Sequence, residues 1–217
     1  MNNHSVSSVL VVLAVALGLS VTAVPSNTKA KMSHSTDATK VVKRDSQRGS
    51  VSSLNSPATG SASVTPASKR WKSTTVTYKI SSGSSYYTNI WKNAVKKWNA
   101  GGVVNLVPTS GKPDISLSTC NSSLSNSGTV GITYSTYYNG SKMNNLQVMA
   151  SAKSYIYRNV SKKFKYSKAE RTNVAEHELG HALGLQHNVG KASVMYYATR
   201  DRSVSKPDIK GLQESYR

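Results

Sequence analysis

The chain has 217 residues and carries 28 lysines and arginines against 9 aspartates and glutamates, a formal net charge of +19. That length is enough for one folded domain with a hydrophobic core, and the excess positive charge predicts attraction to polyanions. The single cysteine, Cys120, cannot form a disulfide within the chain, which excludes a disulfide-stapled fold.

Residues 1–23 have the pattern of a secretory signal. An apolar run, 9–19, precedes Val21, Thr22 and Ala23, and these residues suit cleavage after Ala23. The run is short for a bilayer, which takes about 20 residues, so we expect a secreted, extracellular protein without a stable membrane anchor. No lysine or arginine precedes the run, which leaves an uncleaved anchor as the alternative.

Residues 24–70 are predicted to be a flexible propeptide or linker. They are rich in Ser, Thr, Ala and Lys and contain no Trp, Tyr or Phe, so they offer little apolar surface to offset the entropy of ordering. Two dibasic pairs, Lys43-Arg44 and Lys69-Arg70, are candidate processing sites.

A folded domain is predicted at residues 71–217, because all 3 tryptophans and all 12 tyrosines lie at or after Trp71. Alternating residues predict a strand at 74–80, and apolar residues at helical spacing from Ile90 to Trp98 predict a helix that stops at Gly101. Turn residues separate four further predicted strands, which lie at 103–108, 114–118, 129–134 and 145–152.

Two more helices complete the predicted domain. Ser167 and Glu170 have the spacing of a capping box, at the start of a helix that is predicted to run to about Gly184. A last short helix has Pro207 in its first turn. The strands and helices together predict an α+β fold.

The stretch "VAEHELGHALGLQHN", residues 174–188, carries the chemistry. His177 and His181 are four residues apart, so they lie on one face of a helix. Gly184 can end that helix with a positive φ and let the chain bring His187 to the same ion. Three imidazoles leave the fourth position of a tetrahedral zinc open, which is the arrangement of a catalytic site.

Glu178 is adjacent to the first of these histidines and is predicted to be the general base. A bound zinc lowers the pKa of its water to about 7, and a carboxylate beside that water can take its proton and return it to a leaving amine. The sequence therefore predicts a zinc-dependent endopeptidase that uses one catalytic Zn²⁺ and attack by a zinc-bound water. The alternative is a surface helix whose His and Glu side chains are merely solvated.

On these residues and on "SVMYY", residues 193–197, the chain resembles the metzincin zinc metallopeptidases, and within them the matrixins of bacterial secreted type. The resemblance covers most of residues 71–217 and implies a zincin-like catalytic domain, α+β, with a mixed twisted sheet of about five strands and three helices. It also implies that Met195 is the Met-turn residue, an apolar floor beneath the zinc. Tyr197 stands where matrixins usually have Pro, and in the astacin and serralysin branches of the metzincins a Tyr at that place contacts the zinc or the transition-state oxyanion. The resemblance therefore makes Tyr197 a candidate for such a contact; the alternative is a Tyr that lines the substrate pocket.

The resemblance further implies that an extended substrate pairs with an edge strand. Strand order assigns this edge to Gly128, Thr129, Val130, Gly131, Ile132, Thr133 and Tyr134. A structural zinc and calcium sites of the animal matrixin type are not expected, because residues 71–176 contain no histidine and a single aspartate, Asp114. Residues 24–70 contain no cysteine, so a thiol latch is not expected either.

Two other functions compete with a peptidase. One is a basic secreted module that attaches to an anionic cell-envelope polymer without turnover, and the other is an inactive relative that binds proteins. The main prediction is an enzyme with protein or peptide substrates, retained near the cell wall by its charge. A monomer is expected, and nucleic acid is not expected as a partner, because no nucleic-acid motif accompanies the charge.

Overall fold

A computed structural model describes the chain at residues 32–40, for which it gives the backbone, and at 61–123, 128–198 and 200–217. The predicted signal at 1–23 and the Lys43-Arg44 pair lie outside the described residues. Within the described residues, no helix combines the length and apolar character needed to cross a membrane.

The described residues form seven strands and four helices. The strands are β1 (Met32–Lys40), β2 (Lys69–Arg70), β3 (Thr75–Ser81), β4 (Asn105–Pro108), β5 (Ile115–Cys120), β6 (Thr129–Met143) and β7 (Leu146–Tyr157). The helices are α1 (Ser85–Asn99), α2 (Arg158–Lys163), α3 (Lys168–Ala182) and α4 (Lys206–Tyr216).

The strands form one mixed sheet in the order β1-β6-β7-β5-β3-β4, and β2 pairs with the start of β7. The pairs β1–β6 and β6–β7 are antiparallel, whereas β7–β5, β5–β3 and β3–β4 are parallel. The five predicted strands correspond to β3 to β7, and the predicted α+β architecture is confirmed. The additional elements are β1, β2 and the short helix α2.

The β6–β7 hairpin is longer than predicted. It turns at Asn144 and Asn145, whose φ angles are 50° and 62°, and asparagine is one of the few non-glycine residues that tolerate this region. The outer half of the hairpin is largely exposed, so its strands lack the apolar alternation by which a half-buried strand is identified.

Helix α1 packs its predicted apolar face into the core between the sheet and α3. Ile90, Trp91 and Trp98 are fully buried, and burial of each large side chain stabilises the fold by about 1.5–3 kcal/mol. Both indole N–H groups have acceptors: Trp91 donates to the carbonyl of Ser118 at 3.1 Å, and Trp98 donates to that of Glu176 at 2.9 Å. Helix α1 therefore fixes the position of α3.

The start of α3 has the predicted capping box. Ser167 Oγ accepts from Glu170 N at 3.2 Å, and Glu170 Oε2 accepts from Ser167 N at 2.7 Å. Arg200 Nε donates to Glu170 Oε1 at 2.6 Å, and this bond is the main reason that the pKa of Glu170 falls to about 2. From Val174 to Ala182 every residue of α3 is buried, so the helix crosses the interior.

Two stretches of residues 24–70 differ from the predicted flexible segment. Residues 32–40 form β1, and residues 61–70 pack onto the domain: Thr65 is buried, and its N–H donates to the carbonyl of Pro207 at 3.0 Å. Arg70 is only 6% exposed and its guanidinium lies 4.4 Å from the centre of the Tyr216 ring. Strand pairing holds the first stretch, and hydrogen bonds, strand pairing and the contact with Tyr216 hold the second. Amino-acid composition does not predict such contacts. The Lys69-Arg70 pair forms β2, so it is a poor site for a processing protease.

Candidate active site

The three predicted histidine ligands come together at the end of α3. One ring nitrogen from each of His177, His181 and His187 lies within 4.8 Å of the other two. The Nε2 atoms of His177 and His181 are 3.0 Å apart, close to the separation of about 3.3 Å that two nitrogen ligands have on a tetrahedral zinc. The cluster therefore has the size of a single-metal site.

The other ring nitrogens explain how two of the imidazoles are aimed. His177 Nδ1 lies 2.6 Å from the carbonyl oxygen of Val194, and His181 Nδ1 lies 2.9 Å from that of Leu185. A carbonyl only accepts, so each Nδ1 carries the proton and each Nε2 presents its lone pair to the cluster. Burial, and then the neighbouring imidazoles, hold the pKa of His177 and His181 well below the ordinary value. Neutral imidazoles of this tautomer fit a zinc ion.

Gly184 produces the predicted reversal of the chain after α3. Its φ is 98°, a backbone angle that residues with a side chain rarely adopt. Its N–H donates to the carbonyl of His181 at 2.9 Å. The main chain of Lys69 occupies the space that a Cβ at this position would need. The turn brings His187 to within 5.3 Å of the His177 ring, measured between centroids, so the three rings lie side by side.

Met195 lies under the histidine-bearing turn of α3. It is fully buried, and its sulfur occupies the space that a side chain on Gly180 would need. Gly180 stands directly before His181 in α3. Met195 therefore packs directly against α3 next to His181, and a glycine on the helix makes room for its sulfur.

A buried carboxylate that the sequence did not single out supports the Met195 segment. Asp208 accepts from Val194 N at 3.1 Å and from the hydroxyls of Ser193 and Thr65, the latter at 2.7 Å. The carbonyl of the same Val194 accepts from His177. Asp208 therefore helps to hold the acceptor that orients His177, and its only sequence signal is the capping pattern that it forms with Ser205.

Asn188 ties the His187 loop to the Met195 segment. It is fully buried, its N–H donates to the carbonyl of Met195 at 2.9 Å, and its side-chain amide donates to Thr65 Oγ1 at 2.8 Å. The first bond closes the chain between the third histidine and Met195 into a loop, and the second ties that loop to residues 61–70.

Glu178 is fully buried on the side of α3 that faces β6. Thr133 Oγ1 donates to Glu178 Oε2 at 2.7 Å, and Ser154 Oγ lies 2.9 Å from the same threonine oxygen. Gly131 lies against the carboxylate: a Cβ at this position would come 2.6 Å from Glu178 Oε1. Thr133 thus orients the carboxylate, and Gly131 leaves room for it. The sequence suggested only that these two residues belong to the strand that pairs with the substrate.

The remaining predicted residues lie on β6 and after Met195. Residues 129–134 belong to β6, with Gly128 just before it, and the outer side of β6 pairs with β1. Tyr197 is 38% exposed, and its ring centre is 4.7 Å from that of Tyr196. Burial, and then the hydrogen bond with Tyr197, raise the pKa of Tyr196.

Comparison with known proteins agrees with this geometry. The family model of the M10 peptidases, the matrixins, matches residues 70–217. A 72 kDa type IV collagenase from Gallus gallus is 46% identical over 46 residues, which are 20% of this chain and 7% of the collagenase. The chain therefore aligns with only a small part of that relative, but the family model covers more than half of the chain. The chain therefore belongs to the matrixin family.

Proposed function

We propose that this chain hydrolyses internal bonds of extended protein or peptide substrates, with one zinc held by His177, His181 and His187 and with Glu178 as the general base. The observation that carries the proposal is the convergence of three ring nitrogens within 4.8 Å, with the buried Glu178 next to the first of these histidines in α3. The zinc, when bound, would supply Lewis acidity that acidifies water and polarises the scissile carbonyl.

The protein residues would move the protons. Glu178 takes one proton from the attacking water and later delivers it to the nitrogen of the leaving amine, so that water is added across the peptide bond. The hydrogen bond from Thr133 fixes the plane of the carboxylate before the reaction, which avoids reorganisation during the proton transfer. Met195 would form the floor of the metal site, and Tyr197 is the residue that we assign to contact the zinc or the developing oxyanion.

The substrate would lie along the edge formed by residues 128–134. Support comes from the position of Glu178, whose carboxylate is bonded to Thr133 and lies against Gly131, both within this edge. A peptide paired with the main chain there passes beside the general base.

A single metal ion is part of the proposal, without a structural zinc or dedicated calcium sites. Residues 71–176 contain no histidine. Their one aspartate, Asp114, already accepts from Thr77 N at 2.8 Å and from Thr77 Oγ1 at 2.6 Å. This carboxylate joins β3 to the start of β5 and has a structural task.

The function is tested by hydrolysis of casein, an unstructured protein, by the chain that starts at residue 61. We expect one zinc per chain, cleavage that stops when a chelator removes the zinc, recovery on addition of zinc, and no requirement for calcium. Cleavage that persists in the metal-free protein would contradict the proposal. A folded protein with one zinc and no cleavage would favour the binding module without turnover.

We also propose that the chain is exported, cut after Ala23, and held as a monomer near an anionic envelope polymer. The net charge of +19 supports the attraction to an anionic polymer, as does a groove of about 790 Å³ between α1 and α4, which Lys97, Lys206, Lys210 and Arg217 line. Because exposed charges are screened over about 10 Å at 0.1 M salt, attachment to an anionic polymer should fall steeply as salt rises, whereas casein cleavage in solution should change little. Sedimentation with purified cell walls at increasing salt measures the first effect, and salt-independent attachment would contradict it.

A further inference from the structure

The outer edge of β6 is occupied by a segment of the chain itself. Strand β1 pairs antiparallel with β6 from Met32, opposite Tyr138, to Lys40, opposite Thr129. The pairing covers residues 129–134, which are all of the proposed substrate edge that lies within β6. Strand β1 also contacts α3, the helix that carries Glu178.

The register places the second half of β1 opposite the residues of β6 that touch the Glu178 carboxylate. Asp37 lies opposite Thr133, and Thr39 lies opposite Gly131. Thr133 donates to Glu178, and Gly131 lies against it. The stretch 37–39 therefore runs past the position at which a scissile bond would have to lie.

One edge of a strand pairs with one partner at a time, because its N–H and C=O groups form a single ladder. A substrate that needs this edge must displace β1. The segment has the advantage of belonging to the same chain, since linking two partners makes their pairing intramolecular and raises their effective concentration. Residues 61–70 secure the far end of the link that follows β1, through the bonds of Thr65 to α4.

We propose that residues 32–40 are an intramolecular inhibitor that takes the place of the substrate strand on β6, so that the full chain is latent until the segment is released. This inference rests on the proposed function. The inhibition uses main-chain pairing and needs no cysteine, which the segment lacks. Cleavage anywhere between β1 and residue 61 would turn the tethered strand into a free peptide that dilution removes.

Two neighbouring proline variants of the full chain test the proposal, Ser35→Pro and Thr36→Pro. In an extended strand, consecutive N–H groups point to opposite sides. One of these two residues therefore donates toward β6, where proline removes the bond, and the other points outward, where proline is tolerated. Each variant is the matched control of the other, and neither position belongs to the catalytic machinery.

Two readouts are measured on the zinc-loaded full chain. The first is casein hydrolysis, for which we expect at least a tenfold higher rate in one variant and an unchanged rate in the other. The second is hydrogen–deuterium exchange of residues 129–143, measured in a Glu178→Gln background to prevent self-digestion. The variant that gains activity should exchange faster at the outward-facing amides of β6.

The outcomes separate this proposal from the proposed function. Unchanged exchange in both variants would overturn the pairing, and faster exchange without a gain in hydrolysis by an active parent would overturn the inhibition. Faster exchange in one variant with no hydrolysis in any form, including the chain that starts at residue 61, would instead overturn the peptidase function and the inhibition with it.

Discussion

Glu178→Gln is expected to lower kcat for peptide hydrolysis by about a thousandfold while the protein keeps one zinc per chain. Glutamine has nearly the same shape but cannot accept the proton of the attacking water, and general-base catalysis contributes about 10²–10⁴-fold. The carboxylate is fully buried and touches β6, so an isosteric replacement should preserve the fold. Peptide hydrolysis and zinc analysis are measured together, on the chain that starts at residue 61. Activity within tenfold of the parent would rule out the base role.

Thr133 offers a matched pair of variants for the same carboxylate. Thr133→Val removes the hydroxyl that donates to Glu178 Oε2 but keeps the side-chain volume, and we expect kcat to fall about tenfold with little change in KM. That factor corresponds to about 1.4 kcal/mol of transition-state stabilisation. Thr133→Ser restores the donor and should recover most of the activity. Equal kcat values for the Val and Ser variants would show that the hydroxyl does not position the base.

The parts of this site that follow from local periodicity were predictable from the sequence. Two histidines four residues apart must share a helix face, and a glycine three residues later permits the positive φ that reverses the chain; φ at Gly184 is 98°. The capping pattern of Ser167 and Glu170 likewise fixed the start of α3. Each of these inferences needs only the geometry of one helix and its ends.

The supporting contacts were not predictable in the same way, because they join residues that are far apart in the chain. Thr65 and Asp208 are separated by 143 residues, and Thr133 and Glu178 by 45. A threonine in a strand and an aspartate in a helix cap have ordinary local explanations. Only the packing of α3 against β6, and of α4 against residues 61–70, gives these side chains their further roles.

Strand β1 was missed for a different physical reason. Its sequence, "MSHSTDATK", has little apolar surface, and composition therefore predicted flexibility. Main-chain pairing with a strand edge does not require apolar side chains. The prediction considered only the apolar surface that the segment could bury. It did not consider that the outer edge of β6 offers N–H and C=O groups with which the segment can pair.

His187→Ala is expected to lose the zinc and, with it, all measurable hydrolysis. His177 and His181 each have an Nδ1 acceptor that holds the ring in place, but two imidazoles alone leave a zinc half-coordinated. Loss of a residue that only hydrogen-bonds to a ligand lowers metal affinity by about 10–100-fold. A direct ligand contributes more, so we expect the zinc affinity of His187→Ala to fall by at least about 100-fold. Zinc per chain after dialysis against a weak competing chelator measures the loss, and circular dichroism reports whether the domain stays folded.

His34→Ala in the full chain is the control, since it removes a histidine that lies in β1 opposite Thr136 and that the proposal does not assign to the zinc. It should keep one zinc per chain. Full occupancy in His187→Ala would mean that the third ligand is another group. Tyr197 would then be the first to replace, because it follows Met195 by two residues and is partly exposed. Loss of zinc in His187→Ala alone, with the fold retained, would establish the three-histidine site on a measurement that does not depend on turnover.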